Sequence, residues 1–299
     1  MTETTTLAAE NNNRTRPTSG AAKRKRPMAA TQEMYHDTLP PDAISHELAP
    51  VIQELGLEKN CRELAMEGWT VIRDVSTLEF NGRLREKILQ AAKGAGGANM
   101  LLVRDPAFPE AVLNRKLLAM AEFSVGRGFL LSQVAGSVRP KGAPAIGLHA
   151  DSNWLPAPFP QHNMLLTACW ACDEYSKDGG STLVIPGSGN LRRHPNAKEA
   201  EERAGAIAIE CPPNSVAMWD GNIWHANWPR NTEGQRVVCH ITYTRLMMRP
   251  VEDYSAHADR LIEQHGEVMS QLMGREDFLM GSRGADYTKL TTTFNNAKR

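Results

Sequence analysis

The apolar positions of the chain follow two different spacings. Before about residue 127 they recur every three or four positions, which predicts helices at Leu57–Met66, Leu78–Ala92 and Pro109–Phe123. From about Gly128 to Met247, short runs rich in β-branched and aromatic residues are separated by turn signals, which predicts antiparallel strands. A helical pattern then returns, with apolar residues at Leu261, Ile262, Val268, Met269, Leu272 and Met273.

This order of elements predicts a mostly β fold with flanking helices, in which the core is a double-stranded β-helix, the cupin-like jelly roll. We expect a single domain over residues 31–299. It would comprise a helical lead-in at 31–127, the jelly-roll core at 128–247, a helical C-terminal segment at 250–280 and a tail at 281–299. The first 30 residues contain almost no aliphatic side chains, so a disordered polar and basic leader is expected at 1–30.

Composition limits the possible partners. The chain has 299 residues, of which 41% are hydrophobic, enough to bury a substantial core. Lys plus Arg and Asp plus Glu number 34 each, which argues against a general nucleic-acid surface, and the basic run AAKRKRP at 21–27 is most simply a solvated tail. No stretch approaches 18 uncharged apolar residues and no apolar segment follows the N-terminus. We expect a cytoplasmic protein that binds neither nucleic acid nor membranes.

The cysteine pattern does not indicate a metal or redox motif. Five cysteines are present, an odd number in a chain that has the character of an intracellular protein. Cys169 and Cys172 form a C-x-x-C, but TACWACDEY is a predicted strand, in which residues three apart face opposite sides. A zinc or redox role is therefore not expected for this pair.

A group of four residues points to metal chemistry. His149 and Asp151 lie two apart in AIGLHADSNW, a predicted strand that runs into a loop, so both side chains point to the same side. His225 follows Asp151 by 74 residues, after a predicted turn at Asp220–Gly221, and Arg236 follows 11 residues later at the start of the predicted strand RVVCHITYTR. Two histidines and one carboxylate can bind one face of Fe(II) and leave positions for a chelating cosubstrate and O₂. A downstream basic residue can hold the far carboxylate of that cosubstrate.

Chance alone does not explain the group. Three His-x-(Asp/Glu) triplets occur where about one is expected at random, but those at His257–Asp259 and His265–Glu267 fall in the helical pattern, where residues two apart diverge. Taken alone, His225 is more often a hydrogen-bonded structural histidine, and Arg236 a solvated or salt-bridged arginine. The order and strand placement of all four favour the site.

These features together resemble the phytanoyl-CoA dioxygenase family of Fe(II)- and 2-oxoglutarate-dependent oxygenases. The resemblance runs from about Glu58 to Phe278 and covers three further segments. GWTVIRDV at Gly68–Val75 resembles the family's N-terminal strand, DGGSTLVIPGSG at Asp178–Gly189 its central hairpin, and GREDFL at Gly274–Leu279 a segment common near its C-terminus. The resemblance implies that residues 31–299 form a single catalytic domain.

The resemblance implies roles for particular residues. By position, His149, Asp151 and His225 are the catalytic residues that bind iron. Arg236 then pairs with the C5 carboxylate of 2-oxoglutarate, because a planar guanidinium matches a carboxylate bidentately. Thr182 matches a position where some members place a hydroxyl group on the same cosubstrate.

Two further cosubstrate contacts are expected from the resemblance. Trp170 falls where several members carry an aromatic residue beside the cosubstrate, although a strand tryptophan is more often core packing. Asn227 lies two residues after the second histidine, where the family usually has a small hydroxyl residue. Gly147 stands where some relatives carry a polar residue that faces the cosubstrate, and Gln133 on the preceding predicted strand is the nearest polar candidate to replace it.

The implied activity is hydroxylation or desaturation of a small organic molecule, with release of succinate and CO₂ from 2-oxoglutarate. Asp151 favours these outcomes over halogenation, because related halogenases replace this carboxylate with a small residue. Asn153 and Trp154 are expected to contact the substrate at the pocket mouth, and the proline-rich loop at Asn153–Asn163 either caps the pocket or is a rigid surface loop.

The sequence leaves two alternatives open and does not identify the substrate or the oligomeric state. One alternative is a cupin-like ligand-binding protein in which the metal site is vestigial. The other is a hydrolase that uses the same ligands for zinc.

Overall fold

The structure, a computed structural model, describes residues 43–275. The predicted leader at 1–30, the basic run at 21–27 and the predicted tail at 281–299 lie outside the described residues. So do residues 31–42 of the predicted lead-in and residues 276–280 of the predicted C-terminal segment. None of the helices between residues 43 and 275 is both long and apolar enough to cross a membrane.

The described chain begins with helices, continues through strands and ends with helices, as the sequence predicts. The α-helices are α1 (Ala49–Leu55), α2 (Glu58–Glu67), α3 (Leu78–Ala92), α4 (Ala107–Val112), α5 (Arg115–Val125), α6 (Ala197–Glu202), α7 (Ala258–His265) and α8 (Glu267–Leu272). The strands are β1 (Trp69–Ile72), β2 (Gly97–Ala98), β3 (Leu130–Pro140), β4 (Leu165–Ala171), β5 (Thr182–Val184), β6 (Ile207–Ala208), β7 (Ser215–Asp220), β8 (His225–Asn227) and β9 (Gln235–Thr244).

The strands form two antiparallel sheets. The larger sheet has the order β1-β7-β4-β9-β3-β2, and the smaller has the order β6-β5-β8. Their side chains meet in one apolar cluster, to which β4 contributes Cys169, β7 contributes Ala217 and β5 contributes Val184. The predicted mostly β fold with a cupin-like jelly-roll core and flanking helices is confirmed.

The larger sheet has two faces with different neighbours. We call the face that packs against the helices the outer face and the face toward the smaller sheet the inner face. Along β9, the outer face carries Val237, Cys239, Ile241 and Tyr243, which belong to the cluster formed with the helices. Successive strand residues alternate between faces, so the even-numbered positions of β9 point inward.

The same alternation in and just after β4 separates the two cysteines of the C-x-x-C. Cys169 belongs to the cluster between the sheets, whereas Cys172 belongs to the cluster with the helices. Both thiols are buried and free. The prediction that these cysteines face opposite sides is confirmed.

Helix boundaries follow local capping. The helix α3 has the predicted bounds, and it begins after Thr77, the hydroxyl of which accepts a hydrogen bond from the Phe80 amide. The single helix predicted at Pro109–Phe123 is wrong, because the chain forms α4 and α5 instead. Asn114 lies between them, and its side chain accepts from the Lys116 amide at 3.0 Å, which begins a new helix.

The C-terminal helical pattern is also divided, at Gly266 between α7 and α8. This residue has φ +75°, a left-handed conformation that favours glycine and ends a regular helix.

Two strand predictions are wrong. The segment before His149 is irregular, and His149 makes only an isolated β-bridge with His225. Pro144 in this segment has no amide hydrogen to donate to a strand ladder. The hairpin predicted at Asp178–Gly189 does not form, because its one strand, β5, pairs with β6 and β8 from later in the chain.

Candidate metal centre

The side chains of His149, Asp151 and His225 converge on one point. One ligand atom from each lies within 4.8 Å of the other two. Asp151 Oδ1 is 3.6 Å from His149 Nε2 and 3.4 Å from His225 Nε2, and the two imidazole centroids are 4.4 Å apart. Among the residues that the structure describes, this is the group of three metal-binding side chains that converges in this way.

The backbone holds the two histidines together. His149 N donates to His225 O at 3.0 Å, and His225 N donates to His149 O at 2.8 Å, so the bridge is closed in both directions. His225 opens β8, and Asp151 follows His149 by two residues. The short β-bridge therefore places two of the three candidate ligands before any metal binds.

Hydrogen bonds to the backbone orient both imidazole rings. His149 Nδ1 lies 2.8 Å from the carbonyl oxygen of Gly147, and His225 Nδ1 lies 3.2 Å from that of Ile223. A carbonyl only accepts, so each Nδ1 carries the hydrogen and donates it. The two Nε2 atoms then face Asp151, the orientation that a metal site needs.

The other oxygen of Asp151 has two donors that sequence reasoning missed. Thr167 Oγ1 donates to Asp151 Oδ2 at 3.1 Å, and Trp219 Nε1 donates to the same oxygen at 3.3 Å. The Trp219 ring also lies 5.2 Å from the His225 ring. Both residues lie at inward positions of β4 and β7, so strand alternation was the only signal in the sequence that could have found them.

Electrostatics favour a carboxylate at this point. Burial would raise the pKa of Asp151, but the charge and hydrogen bonds of His225 and His149 hold its pKa well below the usual range. The hydrogen bond to Asp151 raises the pKa of His149, although burial opposes this. Two imidazole nitrogens and one ionised carboxylate oxygen with an open side fit Fe(II), and the same donors also accept zinc.

A cavity of about 310 Å³ opens over the three residues. Four other predicted site residues line it, namely Asn153, Trp154, Thr182 and Asn227, and so does Gln133. Trp154 is 65% exposed and lies at the mouth. The structure thus brings the predicted metal ligands, both predicted substrate residues and two of the predicted cosubstrate residues to one cavity.

Arg236 is connected to this cavity through Tyr175. The Arg236 guanidinium lies 5.0 Å from the centre of the Tyr175 ring, and its Nη1 donates to the Gly180 carbonyl at 2.9 Å. The Tyr175 hydroxyl is 2.6 Å from Thr182 Oγ1, which lines the cavity. Arg236 is 1% exposed, so its charge is buried beside the cavity wall.

Trp170 does not join the other predicted site residues. It lies on the outer face of β4, where its Nε1 donates to Asn81 Oδ1 at 3.0 Å and its ring contacts Phe80 edge-on at 5.5 Å. This placement corrects the expectation of a cosubstrate contact, because the sheet separates the indole from the cavity. Cys169 is the neighbouring residue that faces inward, with its Sγ 3.5 Å from the Tyr175 hydroxyl.

His240 is a further cavity residue that sequence reasoning missed. It lies four residues after Arg236, on the inner face of β9, and it lines the cavity. Burial, together with the charge of Arg236, lowers the pKa of His240 to about 4. The imidazole is therefore neutral near pH 7 and can both donate and accept a hydrogen bond.

The proline-rich loop at Asn153–Asn163 is fastened at both ends to one turn. Next to its start, the Ser152 amide donates to the Gly221 carbonyl at 3.0 Å, and the Ser152 hydroxyl donates to Asn222 Oδ1 at 2.7 Å. At its other end, Asn163 Oδ1 accepts from the Gly221 amide at 3.0 Å. The two ends of the loop are thus held beside the Asp220–Gly221 turn, and the start of the loop adjoins Asp151.

Comparison with known proteins agrees with this geometry. The family model described as Phytanoyl-CoA dioxygenase (PhyH) matches residues 80–238, just over half of the chain, including all three candidate ligands and Arg236. Dioxygenase af480 of Aspergillus fumigatus is 24% identical over 164 residues, which are 54% of this chain and 52% of that protein. The chain thus matches about half the length of this curated relative.

Two solved structures share the fold. The apo form of EctD from S. alaskensis superimposes with a TM-score of 0.55 at 16% identity, over 73% of this chain and 85% of that one. HygX from Streptomyces hygroscopicus with iron bound superimposes with a TM-score of 0.53 at 17% identity, over 69% of this chain and 89% of that one. HygX has also been solved with nickel and 2-oxoglutarate bound. At these identities the likeness concerns the fold.

Proposed function

Because the chain belongs to the phytanoyl-CoA dioxygenase family of Fe(II)- and 2-oxoglutarate-dependent oxygenases, we propose that it hydroxylates or desaturates a small organic molecule with release of succinate and CO₂. The observation that carries the proposal is the convergence of two imidazoles and one carboxylate at the floor of a cavity. When bound, Fe(II) supplies the redox chemistry by which O₂ oxidises 2-oxoglutarate and the substrate.

We assign His149, Asp151 and His225 as the iron ligands. Their ligand atoms are within reach of one ion, both histidines present Nε2, and Asp151 is ionised. The donors on Asp151 Oδ2 leave Oδ1 as the oxygen that faces the two imidazoles. This arrangement favours a carboxylate that binds through one oxygen and leaves space for other ligands.

Arg236 and Thr182 are assigned to the cosubstrate. Arg236 carries a buried guanidinium, the Nε of which has no acceptor, and a carboxylate is the partner that this group fits best. Thr182 supplies a hydroxyl on the cavity side of the same cluster, and Asn227 pairs with Thr182 across the smaller sheet. These residues bind one end of 2-oxoglutarate and orient the other end toward the metal ligands.

Asn153 and Trp154 are assigned to the substrate. Both line the cavity beyond Asp151, and the exposed Trp154 indole offers an apolar surface at the entrance. In this position the two residues can orient a small molecule and exclude water from the floor of the cavity. HygX, solved with nickel and 2-oxoglutarate bound, shares the fold and supports a cosubstrate site of this kind.

The proposal is tested by anaerobic titration of the Fe(II)-loaded protein with 2-oxoglutarate, while the visible charge-transfer band of the chelated keto acid is recorded. The wild type should develop the band, and Arg236→Ala should require much more cosubstrate to do so. Trp170→Phe is the matched control, because this residue lies on the outer face, and it should titrate like the wild type. Bound iron without a band in the wild type would contradict the cosubstrate assignment and favour a ligand-binding protein or a hydrolase.

A further inference from the structure

Three arginines meet beside the candidate cosubstrate site, and only one of them has a role in the proposed function. We call Arg139, Arg230 and Arg236 the arginine cluster. Arg139 in β3 and Arg236 in β9 are directly opposite in the strand register. Residues directly opposite in an antiparallel pair project from the same face of the sheet, so both side chains leave the inner face together.

Arg230 approaches the same place from the loop before β9. Its Nη1 donates to the Gly179 carbonyl at 2.9 Å, while Arg236 Nη1 donates to the Gly180 carbonyl at 2.9 Å. Two guanidinium groups thus bind consecutive carbonyl oxygens. Burial, followed by the positive charge of Arg236, lowers the pKa of Arg139 and the pKa of Arg230, which agrees with the close approach.

Among residues 43–275, the cluster makes no ion-pair contact with a carboxylate, and the charge of Asp173 only partly offsets the lowering of the Arg230 pKa. None of the ion pairs formed by the described residues includes Arg139, Arg230 or Arg236. Each of the three also has a buried Nε without an acceptor. Like charges directly opposite each other destabilise a sheet, and a buried charge without a partner costs free energy.

The contacts of Arg139 do not explain this cost. Its one described hydrogen bond is to the Pro144 carbonyl in the irregular segment before His149. A neutral side chain could make the same bond without placing a positive charge opposite Arg236. The arrangement is therefore unfavourable in the absence of an anion and becomes favourable when an anion binds between the arginines.

We propose that Arg139 is a second anion-binding residue, which acts with Arg236 on the distal carboxylate of 2-oxoglutarate, and that the binding of this carboxylate relieves the repulsion between the two arginines. The inference rests on the proposed function, because it requires 2-oxoglutarate to bind at Arg236. Thr182 and Tyr175 then supply hydroxyl groups on the cavity side, and Arg139 and Arg236 supply the charge.

The test is the variant Arg139→Gln in the Fe(II)-loaded, anaerobic protein. The dissociation constant of 2-oxoglutarate should rise about tenfold, since one charge–carboxylate interaction is lost. The thermal midpoint without 2-oxoglutarate should rise by about 2–4 °C, because a like-charge contact has been removed. The stabilisation gained on adding a fixed concentration of 2-oxoglutarate should become smaller, as the weaker affinity requires.

Arg245→Gln is the matched control. Arg245 is also a partly buried arginine that donates to a backbone carbonyl, that of Asn163, but burial alone accounts for its lowered pKa. The control should lower the thermal midpoint and leave the affinity for 2-oxoglutarate unchanged. A purely structural Arg139 would behave like this control.

The possible outcomes distinguish a failure of this inference from a failure of the proposed function. If the wild type binds 2-oxoglutarate and Arg236→Ala weakens binding, while Arg139→Gln has wild-type affinity or a lower thermal midpoint, this inference alone is wrong. If the wild type shows no binding, the proposed function fails and this inference fails with it. Weaker binding combined with a higher midpoint without cosubstrate supports both.

Discussion

The two faces of β9 carry residues of different character. On the outer face, Val237, Cys239, Ile241 and Tyr243 are buried against the helices. On the inner face the same strand presents Arg236, a neutral His240 and Thr242 to the cavity region. Consecutive residues of β9 therefore have different surroundings. The odd-numbered ones from Val237 to Tyr243 contact the helices, and the even-numbered ones face the cavity region.

In this fold, the residues that stabilise the sheet and the residues that form the candidate site lie on opposite faces. Apolar burial on the outer face stabilises the sheet in proportion to the area removed from water. Polar groups on the inner face are held in place by that sheet, although several of them are costly to bury, as the arginine cluster shows. Substitutions on the two faces should consequently change different measured quantities.

The largest effect is expected from Asp151→Ala on the inner side. Removing the carboxylate should weaken metal binding by roughly 100-fold or more, because one of three protein donors is lost. The free energy of unfolding of the metal-free protein should fall by about 1–3 kcal/mol, because the donors on Thr167 and Trp219 lose their acceptor. Metal titration and urea denaturation of the same samples would measure both, and a large loss of stability would show that the two faces are not independent.

The second prediction concerns Trp170→Ala on the outer face. The free energy of unfolding should fall by about 3–5 kcal/mol, because a fully buried indole and its contacts with Phe80 and Asn81 are removed. Metal affinity of the folded fraction should remain that of the wild type. Urea denaturation measures the first quantity, and a selective loss of metal affinity would contradict the outer-face placement.

Thr167→Val and Trp219→Phe make the comparison sharper, because they change inward residues that do not themselves bind the metal. Each variant removes one donor from Asp151 Oδ2, so metal affinity should fall by about 10-fold. Thr167→Ser keeps the hydroxyl and should restore wild-type affinity. If Thr167→Val and Thr167→Ser have the same affinity, the hydrogen bond does not position the carboxylate.

Near neutral pH the smallest effect is expected, a dependence of metal affinity on the protonation of His149. The pKa of His149 is raised, so a proton competes with the metal from a higher pH than it would at an isolated imidazole. The pKa of Asp151 is held well below its usual range, so this carboxyl does not compete there. Metal affinity should therefore begin to fall at a higher pH than an isolated imidazole would require, and the protonation of His149 by itself contributes at most about 10-fold per pH unit. Affinity that does not change with pH between 8 and 5, measured by titration, would contradict this.

Features that depend on a short-range pattern of residues could be predicted from the sequence. The two-residue spacing in AIGLHADSNW predicted that His149 and Asp151 would lie together, and the structure places one ligand atom of each near His225, although the strand expected there is reduced to an isolated bridge. The strand at Arg236 and the helix at Leu78–Ala92 follow from the same kind of local periodicity.

Features set by distant contacts could not be predicted. All seven residues of β4 are buried, so its sequence does not show which face meets the helices, and Trp170 was expected on the wrong side. Thr167 and Trp219 are linked to Asp151 across 16 and 68 residues. Arg139 follows no recognisable motif, and its position opposite Arg236 depends on strand register alone.

The loop at Asn153–Asn163 is attached at both ends to the Gly221 turn, through Ser152 and Asn163. The middle of the loop is held as well, because Phe159 is fully buried and its amide donates to the Arg192 carbonyl at 2.7 Å. The exposed residues 156–158 and 161–162 can therefore be substituted while the segment that carries Asp151 keeps its anchor. For protein engineering, the loop is thus a place for point substitutions around a fixed Phe159, and not a segment to be replaced whole.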